Sequence, residues 1–236
     1  MAIDEKFEDI IKESFYVGSC RYQPLFEKYF PPRLHTTKEF LHFLENYDKV
    51  NLNHPLVHFI YGDATHPGIL SQTLQYVRES ASAFRNVNTV VLEVCSRKVY
   101  MLQNTPLSDY YLGFMSDAVP EATNLQLSYQ DISQDLIEIK KLLKRDFNIG
   151  KILVMSHVNL PLEKSKDCIE DRAKLVSILE DVCKSLEVEF VNVGEVLTKG
   201  SDKELFLEDV LPDGTHYNDN QHLQLVLEHL KNIGLK

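Results

Sequence analysis

The chain alternates short, continuously apolar runs with longer stretches in which apolar residues recur every three or four positions. The short runs are Ser14 to Val17, Leu56 to Tyr61, Thr89 to Val94, Ile152 to Met155 and Glu189 to Val193, each of strand length. Thr89-Val90-Val91-Leu92-Glu93-Val94 is too apolar for a strand with one wet face, which predicts burial on both sides as in a parallel sheet. The amphipathic stretches read as helices. Thr36-Thr37-Lys38-Glu39 has the form of a capping box opening a helix through Leu44, and a second helix starts near Leu70 with Leu74, Val77, Ala81 and Phe84 on one face. Ser128 with Asp131 caps a third, whose buried face carries Ile132, Leu136, Ile139, Leu143 and Phe147. A fourth runs from about Asp171 to Leu186, and the last spans Gln221 to Ile233, stopping at Gly234. Residues 99–126 have weak periodicity; a lid and an irregular surface excursion look alike in such a pattern.

Five strands alternating with helices predict a three-layer α/β/α sandwich around a five-stranded, mostly parallel sheet of flavodoxin-like type, because parallel neighbours need crossover helices. Ligands in such folds bind beyond the carboxyl ends of the strands. The polar clusters fall there: Gly18-Ser19-Cys20, Gly62-Asp63, Cys95-Ser96-Arg97-Lys98, Ser156-His157 and Asp213 to His216.

Composition narrows the partners. At 236 residues, with no Pro/Gly/Ser-rich linker, the pattern reads as a single domain over 1–236. A formal net charge of -10, with no concentrated Lys and Arg, argues against nucleic acid as a partner. The acidic N-terminus does not resemble a signal peptide and no run of about 18 apolar residues occurs, so a cytoplasmic, non-membrane protein is expected. Cys20, Cys95, Cys168 and Cys183 are widely spaced, which favours reduced thiols, and neither they nor His35, His42, His54, His58 and His66 show metal-ligand spacing; no metal site is expected.

The chemistry gathers at the two ends of the chain. In Val210-Leu211-Pro212-Asp213-Gly214-Thr215-His216-Tyr217-Asn218-Asp219-Asn220 a carboxylate stands three residues before a histidine, in a turn preceding a helix. A carboxylate held against one imidazole nitrogen fixes the tautomer and leaves the other free to take a proton from a nucleophile. Asp213 and His216 are also compatible with a plain turn, in which the Asp caps local amides. Ser19 is the candidate nucleophile; its turn can equally cap a helix or bind an anion on its amides. Cys20 competes as a thiolate nucleophile, against a reading as a small residue packed behind the turn.

In these motifs the chain resembles the SGNH (GDSL-like) hydrolase superfamily. Gly18-Ser19-Cys20 resembles variants of its first block, with Ser19 in the nucleophile's place, and Asp213-Gly214-Thr215-His216 matches its last, Asp-x-x-His. Gly62 stands where the family places an oxyanion-hole glycine. The third block, normally Gly-x-Asn-Asp, reads here Glu93-Val94-Cys95-Ser96-Arg97-Lys98. Loss of a side-chain oxyanion donor typically costs about 100- to 1000-fold in rate unless another group, here Ser96 or Arg97, replaces it. The Gly18-Ser19-Cys20-Arg21 turn followed by Pro24-Leu25 also looks like the Gly-Asn-Cys-Gln turn of polysaccharide-biosynthesis acetyltransferases of the same fold.

The resemblance implies a serine esterase removing a small acyl group through an acyl-enzyme, with Ser19, Asp213 and His216 catalytic and Ser19, Gly62, Ser96 and Arg97 at the oxyanion. An O-acyltransferase acting on a sugar is the alternative, with acetyl-coenzyme A as donor and otherwise no cofactor. A catalytically inactive glycan- or metabolite-binding module is the third reading. The expected rim, Tyr22, Asp63, Arg97, Lys98, His157 and Tyr217, suits hydroxyls and anions, hence a polar small-molecule or glycan substrate.

Overall fold

A computed structural model of the chain describes residues 14–19, 21, 22, 26, 34–47, 49, 82, 84, 87–107, 119–214, 216–218 and 220–233. The expected strand at Leu56 to Tyr61, most of the helix beginning near Leu70, and Cys20, Gly62 and Asp63 lie outside the described residues.

Among the described residues the central sheet has four strands, all parallel, in the order β1 (Ser14–Val17), β2 (Thr89–Val94), β6 (Lys151–Ser156) and β7 (Glu189–Val191). Ser14 pairs with Thr89, Thr89 with Lys151, and Leu153 with Glu189. The period-two alternation of each strand divides its side chains between two apolar clusters. Phe15, Val17, Val90, Leu92, Val94, Ile152 and Val154 enter one cluster, completed by α1 (Thr37–Asn46), α2 (Tyr129–Phe147) and α3 (Glu170–Ser185). Tyr16, Val91, Leu153, Met155 and Val191 enter the other, completed by α4 (Val193–Lys199), α5 (Leu207–Val210) and α6 (Asn220–Asn232). Helices therefore cover both faces, and the sheet needs no polar side. Each fully buried Leu, Ile or Phe of these faces contributes roughly 1.5–3 kcal/mol of transfer free energy.

The helix starts follow from their caps. Thr36 and Ser128 each accept from the backbone of the residue three further on, Glu39 and Asp131, whose carboxylates return the bond, so both capping boxes form. Helices α1 and α2 are locked together at Asp135, fully buried, which accepts from Thr37 Oγ1 at 2.8 Å and from Lys38 Nζ at 2.5 Å. Strand β7 ends two residues earlier than its apolar run, because Asn192 turns the chain and caps α4 through Glu195 N–H.

The weakly periodic segment after β2 is a second, three-stranded antiparallel sheet in the order β4 (Thr105–Leu107), β3 (Lys98–Leu102), β5 (Thr123–Gln126). Its neck is closed by Arg97 and Leu127: Leu127 N–H donates to Arg97 O at 2.8 Å, and Arg97 Nη1 donates to Leu127 O at 3.2 Å. Among the described residues no helix is long and apolar enough to cross a membrane.

Candidate functional site

The carboxyl ends of β1, β2 and β6 bring together Ser19 and Arg21, Glu93 and Cys95, and His157. The organising group is Glu93. Alternation along β2 sends it to the same face as Val91, against Tyr16 of β1, and it is completely buried. One oxygen, Oε2, accepts from Tyr16 Oη at 2.5 Å, from Ser19 N–H at 3.0 Å and from Ser19 Oγ at 2.6 Å. The other, Oε1, faces Arg21 Nη2 at 3.4 Å, where the guanidinium is almost fully buried too. Burial alone would raise the Glu93 pKa, but the Arg21 guanidinium and the bonds from Ser19 and Tyr16 outweigh it and hold the carboxyl at about 2. Gly18 exists for this approach: a Cβ there would stand 2.6 Å from Glu93 Cβ and 2.6 Å from Tyr16 Oη, at a φ of +155°.

His157 follows β6. Its Nδ1 donates to Val158 O at 3.0 Å, because a carbonyl can only accept, and Nε2 is left as the unprotonated nitrogen. Burial first, then the guanidinium charges of Arg21 and Arg172, bring its pKa down to about 3, so the ring is neutral.

The last turn forms the dyad. Asp213 Oδ1 accepts from His216 N–H at 2.6 Å, and Oδ2 accepts from His216 Nδ1 at 2.8 Å. The carboxylate thus caps the turn and fixes the imidazole at once, leaving Nε2 as the basic nitrogen. Both side chains are more than half exposed, at 55% and 61%. This turn reaches the first one through aromatic side chains. Tyr217, next to His216, places its hydroxyl 2.5 Å from that of Tyr22, three residues after Ser19, and the rings meet edge-on with centroids 5.7 Å apart. Burial raises the pKa of both tyrosines, so both stay neutral. His222 stacks on Tyr217 with centroids 6.3 Å apart.

The structure brings together Ser19, Tyr22, His157 and Tyr217 of the expected set, and joins Asp213 to His216. The expected oxyanion donors that are described, Ser19, Ser96 and Arg97, have partners of their own. The Ser19 amide is directed to Glu93. Ser96 folds into a local turn, accepting from Lys98 N–H at 2.9 Å. Arg97 clamps the neck of the second sheet and pairs with Asp171 at 3.2 Å, and Lys98 lies 4.7 Å from the Tyr100 ring centroid. The physical reason is the chain direction: the bend at Arg97 begins β3, so Arg97 and Lys98 are engaged with the second sheet and its neck. Gly62 and Asp63 are outside the described residues.

Sequence reasoning passed over Glu93, Arg21 and Arg172. The signal for Glu93 was present, since a charged residue inside a strand buried on both faces needs a partner. Among the described residues no group of three or more His, Cys, Asp or Glu side chains is arranged to hold a metal ion.

No family model matches the chain, and no curated protein matches it. The periplasmic domain of a lipopolysaccharide acetyltransferase from Salmonella ser. Paratyphi A, a solved structure, superposes with a TM-score of 0.33 at 11% identity, covering 78% of this chain and 67% of that one. A similarity at this level supports no functional assignment.

Proposed function

We propose that the protein transfers a small acyl group through a covalent acyl-enzyme, with His216 as general base, Asp213 orienting it, and the nucleophile supplied by the Ser19-Cys20 turn. One observation carries the reading: an imidazole whose Nδ1 is held by Asp213 is tied, through the Tyr22–Tyr217 contact, to the turn that ends β1. In the step proposed, Nε2 takes the nucleophile's proton as the nucleophile attacks the acyl carbon. Collapse of the tetrahedral intermediate then breaks the bond to the leaving group, an ester's alcohol oxygen or the sulfur of acetyl-coenzyme A, which receives that proton from His216. Water as the second attacker makes the enzyme an esterase, and a sugar hydroxyl makes it an O-acyltransferase with acetyl-coenzyme A as donor. The polar groups behind the two turns, the hydroxyls of Tyr22 and Tyr217 and the imidazole of His157, favour a polar, glycan-like carrier.

Ser19 is the nucleophile in the primary reading. A second reading rests on its surroundings, because its hydroxyl proton and its amide are both directed to Glu93, an arrangement of a positioning group. Cys20, the adjacent thiol, is then the nucleophile, or else the pocket binds without chemistry.

Turnover of a short-chain aryl acetate by the wild type, Ser19→Ala, Cys20→Ser and His216→Ala separates these. The proposal expects His216→Ala to lose roughly 100-fold or more, the usual worth of a positioned general base. Either nucleophile variant falling to background identifies the attacking atom. Activity unaffected by all three removes the site from the chemistry, and absence of turnover alongside ligand-induced thermal stabilisation favours the binding module.

A further inference from the structure

We infer that Arg172 is an anion-holding group of this site, and that the molecule bound there carries a phosphate or carboxylate next to the group being transferred. The assignment of a role in substrate binding rests on the acyl-transfer reading; the capacity to hold an anion does not.

Arg172 lies in the first turn of α3 and is half-buried. Its Nη1 makes one long bond, 3.4 Å, to Val158 O, the same carbonyl that accepts from His157 Nδ1. The side chain is thereby placed at the carboxyl end of β6, against His157. The nearby carboxylate in sequence, Asp171, is directed to Arg97 Nη2 instead. Among the described residues no carboxylate pairs with Arg172, and the positive charge of Arg21 lies within electrostatic reach. Burial, and then Arg21, make the charged form of Arg172 harder to hold.

Two guanidinium groups brought towards each other in a partly desolvated place repel, and a folded chain does not gain from that arrangement. Glu93 offsets Arg21 at 3.4 Å and is occupied below the Ser19 turn. The positive charge of Arg172 remains beside the Val158 carbonyl to which His157 Nδ1 donates, with no carboxylate paired to it among the described residues. A guanidinium presents paired N–H donors whose spacing fits the two oxygens of a carboxylate or phosphate, and such charge-assisted bonds are the stronger kind. The sequence placed Arg97 and Lys98 on a rim suited to anions; Arg97 is instead engaged by Leu127 O and Asp171, and Arg172, next to Asp171, is the guanidinium without a carboxylate partner among the described residues.

The test is calorimetric titration of the full chain with inorganic phosphate and, separately, with acetate, at constant ionic strength, for the wild type, Arg172→Gln and Arg172→Lys. The expected result is saturable binding by the wild type and an affinity lower by about 10- to 100-fold in Arg172→Gln, with Arg172→Lys in between. Preference for phosphate assigns a phosphorylated carrier, and preference for acetate a carboxylated one. Melting of the ligand-free variants is the control: Arg172→Gln should be as stable as the wild type or more so, since it removes a repulsion. Equal affinity in the wild type and Arg172→Gln, no anion binding by the wild type, or a lowered melting temperature of ligand-free Arg172→Gln would each overturn the inference. Loss of phosphate binding in a protein that never turns over an aryl ester refutes the acyl-transfer reading and leaves the anion site standing. Turnover without Arg172-dependent binding does the reverse.

Discussion

Replacing Glu93 by Gln tests whether the site is built on that carboxylate. The substitution keeps the shape of the side chain and removes its charge. The amide oxygen can still accept from Tyr16 Oη, Ser19 N–H and Ser19 Oγ, the three donors that converge on Oε2. Its NH2 group must then face Arg21 Nη2, where Oε1 stood at 3.4 Å, so a donor meets a donor and the guanidinium loses Glu93 as its counter-charge. Removing one partner of a buried ion pair costs about 3 to 5 kcal/mol, and three bonds to an ionised acceptor weaken to ordinary ones. For a chain of this size each kcal/mol is worth roughly 2–4 °C, so the melting temperature should fall by about 10 °C. Scanning calorimetry reads this directly. A double-mutant cycle with Arg21→Gln should show coupling, the double variant losing less than the sum of the singles. A melting temperature of Glu93→Gln within about 2 °C of the wild type, or strict additivity with Arg21→Gln, would refute the reasoning that this pair anchors the turn.

Two further outcomes follow from the same cluster. His157 is neutral in the fold, faced by Arg21, Arg172, Glu93 and the Val158 carbonyl, with its pKa held at about 3 against an ordinary value near 6.5. The unfolded chain therefore binds a proton in that window that the folded chain refuses, so stability is fully present above about pH 6.5 and declines below it, by up to about 1.4 kcal/mol per pH unit. Unfolding free energies from urea titrations at pH 7.5 and 5.5 should differ by about 1.4 kcal/mol on this account, and His157→Gln should flatten the difference; an unchanged slope in that variant contradicts it. Gly18→Ala places a methyl group 2.6 Å from Glu93 Cβ and Tyr16 Oη, and overpacking of this kind costs about 1–3 kcal/mol, measurable in the urea midpoint and absent if the turn simply shifts.

The elements legible from the chain were those whose local signals agree with their packing. The capping boxes at Thr36 and Ser128, the apolar faces of α2 and α3, and the continuous apolarity of β2 each name a boundary or a buried face that the structure keeps. Four parallel strands and helices on both faces follow from the same pattern, while the fifth expected strand lies outside the described residues. The second sheet was not legible, because β5 is exposed at all four positions and β4 is three residues long, too short to show a period. The Asp213–His216 pair was legible, since spacing alone places both on one turn. The roles written for Ser96, Arg97 and Lys98 were not supported by their placement: where β2 hands over to β3 is a matter of tertiary direction, and three residues at a strand end do not record it. Arg172 was beyond reach, as it is one charged residue on an amphipathic helix and only the fold sets it against His157.

The central claim is that the Asp213-fixed imidazole activates a nucleophile in the turn after β1. Its most direct test is intact-protein mass spectrometry after a brief exposure to an aryl acetate, followed by peptide mapping of the adduct. The account predicts one acetyl group per chain, on Ser19 or Cys20, formed by the wild type and absent or far slower in His216→Ala and Asp213→Asn. An acetyl group found elsewhere, or one on this turn that forms as fast without His216, would contradict it.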